Sequence, residues 1–183
     1  MNLRVERTDR SPLLVTCTIQ MRILNLGSIT FCLFSHAFVI AQVGDTTLPV
    51  LNQRVVEFVH AHMGERVDRG ECWDLAAFAL NEAGAKWNGK LQYGRLLDPK
   101  KEQVLPGDII QLEGMEFKWW EGDATNVITM PHHTAIVYEV KSSGNYLVAH
   151  QNMQGIGRKV GLGTIVLEHR SKGKIMIYRP QED

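Results

Sequence analysis

The chain has 183 residues, 44% hydrophobic and 22% charged, with 20 basic against 20 acidic side chains. That profile excludes collagen, coiled coil and a chain too polar to bury a core. The charge balance leaves no positive field for DNA or RNA, so nucleic acid is not expected as a partner.

Residues 1–20, with Arg4, Arg7 and Arg10, fit no targeting pattern and read as a disordered leader or an unused upstream start. From Met21 the order changes to one arginine, a largely apolar stretch, then small residues at Val39-Ile40-Ala41, with a second acceptable cut at Ser35-His36-Ala37. That order predicts a secretory signal peptide over 21–41 and a secreted or periplasmic protein. Asn25, Gly27, Ser28, Thr30, Ser35 and His36 interrupt the stretch, so no stable membrane span is expected in the mature protein. The remaining domain, 42–183, keeps a single cysteine, Cys72, once Cys17 and Cys32 are removed. A lone thiol in an exported chain is a buried hydrophobe, an intermolecular link or a nucleophile.

Apolar residues at Val50, Val55, Phe58, Val59 and Met63 predict a helix over 50–63, stopped at Gly64. A polar turn, 68–71, leads to a second helix over 72–83, with Leu75, Ala76, Ala79 and Leu80 on one face and Gly84 ending it. Beyond Pro99 the period falls to two. Strands are predicted at 108–112, 134–140, 146–150, 164–168 and 174–178, with 141–145 as a hairpin turn and 113–131 as a long loop. Helices followed by an antiparallel meander give an α+β fold.

Cys72 at a helix start, His133 at a strand start, and His150 with Asn152 one strand later form a set with evident chemistry. A helix N-terminus and a neighbouring imidazole both favour a thiolate, the N–H groups there can receive an oxyanion, and the imidazole needs a third polar group to orient it. His150 and Asn152 are both candidates for that third group. Cys72, His132, His133 and His150 also contain the ligand types of a zinc site, but lack close knuckle spacing, so neither a metal nor any other cofactor is expected.

The ordered stretches Gly70-Glu71-Cys72-Trp73-Asp74-Leu75, Leu105-Pro106-Gly107-Asp108-Ile109-Ile110 and His133-Thr134-Ala135-Ile136-Val137 resemble the papain-like cysteine hydrolases of the NlpC and CHAP type. Cys72-Trp73, Pro131-His132-His133, His150-Gln151-Asn152 and the closing Tyr178-Arg179-Pro180 also resemble the cysteine-proteinase-fold domain at the C-terminus of fungal actin-patch adaptors. The resemblance implies a papain-like domain, with N-terminal helices and a cysteine at a helix start, packed on a small antiparallel sheet. It implies Cys72 as nucleophile, His133 as general base and His150 or Asn152 as the orienting group. Glu71 and Trp73 flank the cysteine where NlpC domains usually carry Asp and a small residue. Two functions follow. One is a secreted thiol amidase or peptidase that cleaves peptide or peptidoglycan-like substrates through an acyl-thioester. The other is a non-catalytic binding or scaffold domain that retains the fold.

Trp73 beside the cysteine, and Trp119 and Trp120 in the expected loop, are candidate substrate-binding residues. Alternation along the strand groups His133 with Ala135 and Val137, and His132 with Thr134 and Ile136. With Val140 opposite Asn145 across a four-residue loop, His133, His150 and Asn152 are expected on one side, facing Cys72. The oligomeric state is not legible.

Overall fold

A computed structural model describes residues 47–182. The signal-peptide and leader expectations fall outside those residues.

Two helices lead the domain, α1 (Val50–Ala61) and α2 (Cys72–Ala83). Helix α1 ends one turn before Gly64. Helix α2 stops at Gly84, whose φ of 76° takes the left-handed conformation that releases the last carbonyls to a C-cap. Six strands follow: β1 (Arg95–Leu96), β2 (Ile109–Glu121), β3 (Ala124–Ser142), β4 (Asn145–His150), β5 (Gly161–Val166) and β6 (Arg170–Arg179). They form one antiparallel sheet in the order β1-β6-β2-β3-β4-β5.

Each face of the sheet carries its own core. Ile109, Ile136, Ala149 and Tyr178 pack against Val55, Leu75, Ala79 and Leu80 of the helices. Their strand neighbours Ile110, Ala135, Val137, Val148 and Ile177 build a second core with Leu97, Val104, Phe117 and Ile165. Both faces of the central strands are therefore buried, mostly by apolar side chains, with Gln111, Thr134, His133 and His150 as buried polar exceptions.

The turn before β2 is fastened by Asp108, which is 0% exposed. Its carboxylate accepts from Arg179 Nε at 3.0 Å and Nη2 at 2.8 Å, from Asn52 Nδ2 at 2.9 Å and from Leu105 N–H at 2.8 Å. Gly107 must be glycine here: its φ is 83°, and a Cβ would lie 2.4 Å from the Asn52 carbonyl oxygen.

The expected loop over 113–131 is corrected. It is the outer half of the β2–β3 hairpin, closed by a two-residue turn at Gly122-Asp123 between the paired Glu121 and Ala124. Gly122 has the positive φ, 59°, that such a tight turn requires. Met115 and Phe117 alternate with Glu116 and Lys118, but Gly114 and Pro131 break the pattern in the sequence. Pro131 is tolerated because β4 pairs with β3 only from Ile136 onward, which leaves Pro131 on a free edge.

The β3–β4 hairpin is also tighter than expected: Ser142 pairs with Asn145, and Val140 opposes Tyr146 rather than Asn145. Register shifts between Val140 and Ser142 and between Val137 and Glu139 then move the strand by a residue each. The second restores the expected partnership beyond it, with Ile136 opposite Ala149.

Candidate functional site

Cys72 opens α2, and the segment before it is held by a dense set of bonds. Asp74, buried at 1% exposure, accepts from the Glu71 N–H at 3.0 Å and from Arg69 Nη2 at 2.6 Å. Gln151, 0% exposed, bonds the Val67 N–H and C=O and the Glu71 C=O. Asn152 donates to Glu71 Oε2 at 2.7 Å, and Arg158 pairs with Glu71 Oε1 at 3.0 Å. Residues following β4 thus clamp the helix start. Trp73 lies beside the cysteine with the Arg69 guanidinium over its ring at 5.4 Å.

Thr134, on the helix-side face of β3 with Ile136, and Trp73 of α2 are the residues whose polar groups act on the Cys72 thiol. Burial pushes the thiol up from its ordinary value, and the Glu71 carboxylate adds to that. The N–H groups of Thr134 and Trp73 and the Thr134 hydroxyl act the other way without reversing the shift. Thr134 heads a polar chain across the helix-side face. Its Oγ1 is 3.1 Å from the Tyr93 hydroxyl and donates to Gln111 Oε1 at 2.7 Å. Gln111 Nε2 donates to Glu113 Oε1 at 2.8 Å, and Glu113 Oε2 lies 2.8 Å from His132 Nδ1.

The expectation that His133 faces Cys72 is corrected. His133 shares the second-core face with Ala135 and Val137, whereas Thr134 shares the helix-side face with Ile136. Among the described residues no hydrogen bond joins Cys72 to either His133 or His150. The two histidines do meet, as the strand partnership implies: His133 Nε2 and His150 Nδ1 share a hydrogen bond of 3.1 Å. Both are 4% exposed, and burial pulls each down to about 4, with the neighbouring His150 adding to the shift at His133. Asn152 does not join them. The chain turns there with φ 60°, and its amide goes to Glu71.

Trp119 and Trp120 are also placed away from Cys72. Trp119 stacks on His169 at 5.8 Å and lines an apolar cavity of about 220 Å³ with Phe117, Met130 and Ile165. Trp120 is 67% exposed beneath Lys118 Nζ. It lies nine residues along β2 from Gln111, roughly 30 Å in extended chain. Sequence reasoning missed Thr134, Gln111, Tyr93 and Gln151. The pattern Gln111-x-Glu113 opposite His132-x-Thr134 carried a period-two signal for the first two.

Two helices on one antiparallel sheet make the domain α+β, and the family model that matches it is that of a cysteine-proteinase fold. The chain belongs to the family of the AIM3/BBC1 cysteine proteinase-fold domain, which matches residues 50–183. A similar protein is Altered inheritance of mitochondria protein 3 of Debaryomyces hansenii, 27% identical over 136 residues. That alignment covers 64% of this chain and 14% of the relative, so the chain spans a small part of the relative's length. Among solved structures, the crystal structure of Ly7917 is similar at 16% identity and TM-score 0.44, covering 69% of this chain and 62% of that one. Ly7917 with the hydrolyzing product of MDP is similar at 18% identity and the same TM-score, covering 70% and 62%.

The expectation of a secreted or periplasmic protein is corrected by the yeast relative, whose name ties it to mitochondrial inheritance, a process inside the cell. Among the described residues no helix is long and apolar enough to cross a membrane.

Proposed function

We propose that this domain is a binding or scaffold module that keeps the cysteine-proteinase fold without thiol hydrolysis. The observation that carries the reading is the sheet register: Thr134, opposite Gln111, takes the helix-side face, while His133 and His150 lie on the other face and are hydrogen-bonded to each other. A hydroxyl beside a raised thiol cannot take its proton near neutral pH, whereas nucleophilic cysteine catalysis needs a depressed thiol or an adjacent base. The His133–His150 pair is held down by burial and bonded to itself. The similarity to the AIM3/BBC1 domain supports the same reading, since the adaptors that the sequence resembles are not evident enzymes.

One observation favours the hydrolase alternative: His132 and Glu113, an imidazole–carboxylate pair 2.8 Å apart, lie on the face that carries Thr134. Iodoacetamide labelling near neutral pH separates the two. In the binding module Cys72 labels no faster than a free model thiol, and His132→Ala leaves the rate unchanged. Peptidoglycan fragments and simple peptides are not turned over. Labelling well above the free-thiol rate that collapses in His132→Ala, or turnover lost in Cys72→Ala, would overturn the proposal.

A further inference from the structure

Strand β6 is paired along one side with β2, but on its other side β1 covers only Tyr178 and Arg179. A last backbone bond, from Leu97 N–H to the Ile177 carbonyl, closes that contact before the chain turns away at Asp98-Pro99. Among the described residues no strand pairs with residues 170–176 on that side. An open groove of about 440 Å³ runs along this edge. Ile175 and Lys174, neighbours pointing to opposite faces of β6, both line it, as an unpaired strand edge requires. Leu96, 59% exposed, with Leu97, Ile175 and Ile177 gives it an apolar floor. Lys100, Arg170 and Lys174 stand around that floor, all exposed, and none of the three side chains is in an ion pair among the described residues. The one carboxylate in the lining, Asp98, is taken by Lys101 at 3.2 Å.

We propose that the β6 edge takes an extended acidic peptide from a partner protein, added as a further strand in line with β1. Main-chain bonds to an open edge supply affinity, and alternate side chains supply selectivity. Apolar residues of the peptide sit on Leu96 and Ile175, and its carboxylates meet Lys100, Arg170 and Lys174. The same cations repel a second copy of this edge, a device that keeps open strands from self-pairing. A positively charged or neutral strand gains nothing from the rim. The groove shares no residue with the surroundings of Cys72, so its fate is independent of the chemistry there.

The test uses the full chain and a short fluorescent peptide alternating glutamate with valine, read by anisotropy. Its lysine–valine counterpart and versions N-methylated at alternate residues, in either register, are the controls. The acidic peptide binds, more weakly as salt screens the rim, while the lysine counterpart does not bind. N-methylation removes binding by removing strand bonds. Reversing the rim (Lys100→Glu, Arg170→Glu, Lys174→Glu) weakens binding by about tenfold or more, the scale of several exposed charge pairs. Leu96→Asp, a single exposed change, weakens it as well and guards against misfolding of the triple variant. Equal binding of both charge types, no binding of the acidic peptide, undiminished binding after N-methylation, or self-association through this edge would each overturn the proposal.

Discussion

Asp108 shows how one residue can serve the whole domain. Its carboxylate is fully buried and accepts bonds from α1, from the turn before β2 and from the end of β6. Removing one member of a buried, hydrogen-bonded ion pair leaves the other charge without compensation. Asp108→Ala is therefore expected to cost about 3–5 kcal/mol, seen as a lower urea midpoint with an unchanged slope. A loss within the noise of a surface change would mean that Arg179 finds another partner. At Cys72 a helix start favours the thiolate, but burial and Glu71 outweigh it. What a cysteine can do is thus set by its neighbours and not by its helix position alone.

Hairpin β2–β3 carries the clearest difference between expectation and structure. A mobile loop would tolerate truncation throughout. A strand with one buried face would not. Phe117 is 6% exposed, whereas Trp120 is 67% exposed. Phe117→Ala is expected to cost about 3–5 kcal/mol, and Trp120→Ala about 0.5 kcal/mol or less. Equal, small effects on thermal unfolding would restore the loop description. The register of β3–β4 teaches a related lesson. A loop two residues shorter than expected and two one-residue bulges cancel, so His133 and His150 meet although the turn between their strands differs from the expected one. Each bulge takes back one residue of the two by which the turn is tighter; without them the faces would be kept but the partner of His133 would be displaced by two positions.

For the molecule as a whole, the buried histidine pair links stability to pH. Each imidazole titrates near 6.5 in the unfolded chain and is pulled down to about 4 in the fold. Above the unfolded value both states are neutral and pH has no effect through this pair. As pH falls from about 6.5 toward 4, the unfolded chain binds protons that the fold refuses, so stability is lost. The slope is up to about 1.4 kcal/mol per pH unit for each histidine. Urea midpoints are expected to drop between pH 7 and pH 5, a window above most carboxylate titration. The paired variant His133→Gln, His150→Gln flattens that drop. A parallel decline in the variant would show that other groups carry the dependence.

The two helices, the stop of α2 at Gly84, most of the strands and the α+β order are set by local pattern: helical and strand periods, glycine and proline punctuation; α1 ends at Ala61, short of the expected stop at Gly64. The Cys72-Trp73, Pro131-His132-His133 and His150-Gln151-Asn152 stretches carry the cysteine-proteinase family as well. Periodicity also groups His133 with Ala135 and Val137 correctly. It cannot say which group meets the helices when both faces of the sheet are buried, since apolar side chains then alternate with apolar ones. That choice belongs to tertiary packing. Docking α2 on the face of Ile109 and Ile136 puts Thr134 on the helix side, turns His133 and His150 into the second core and sends Asn152 to Glu71.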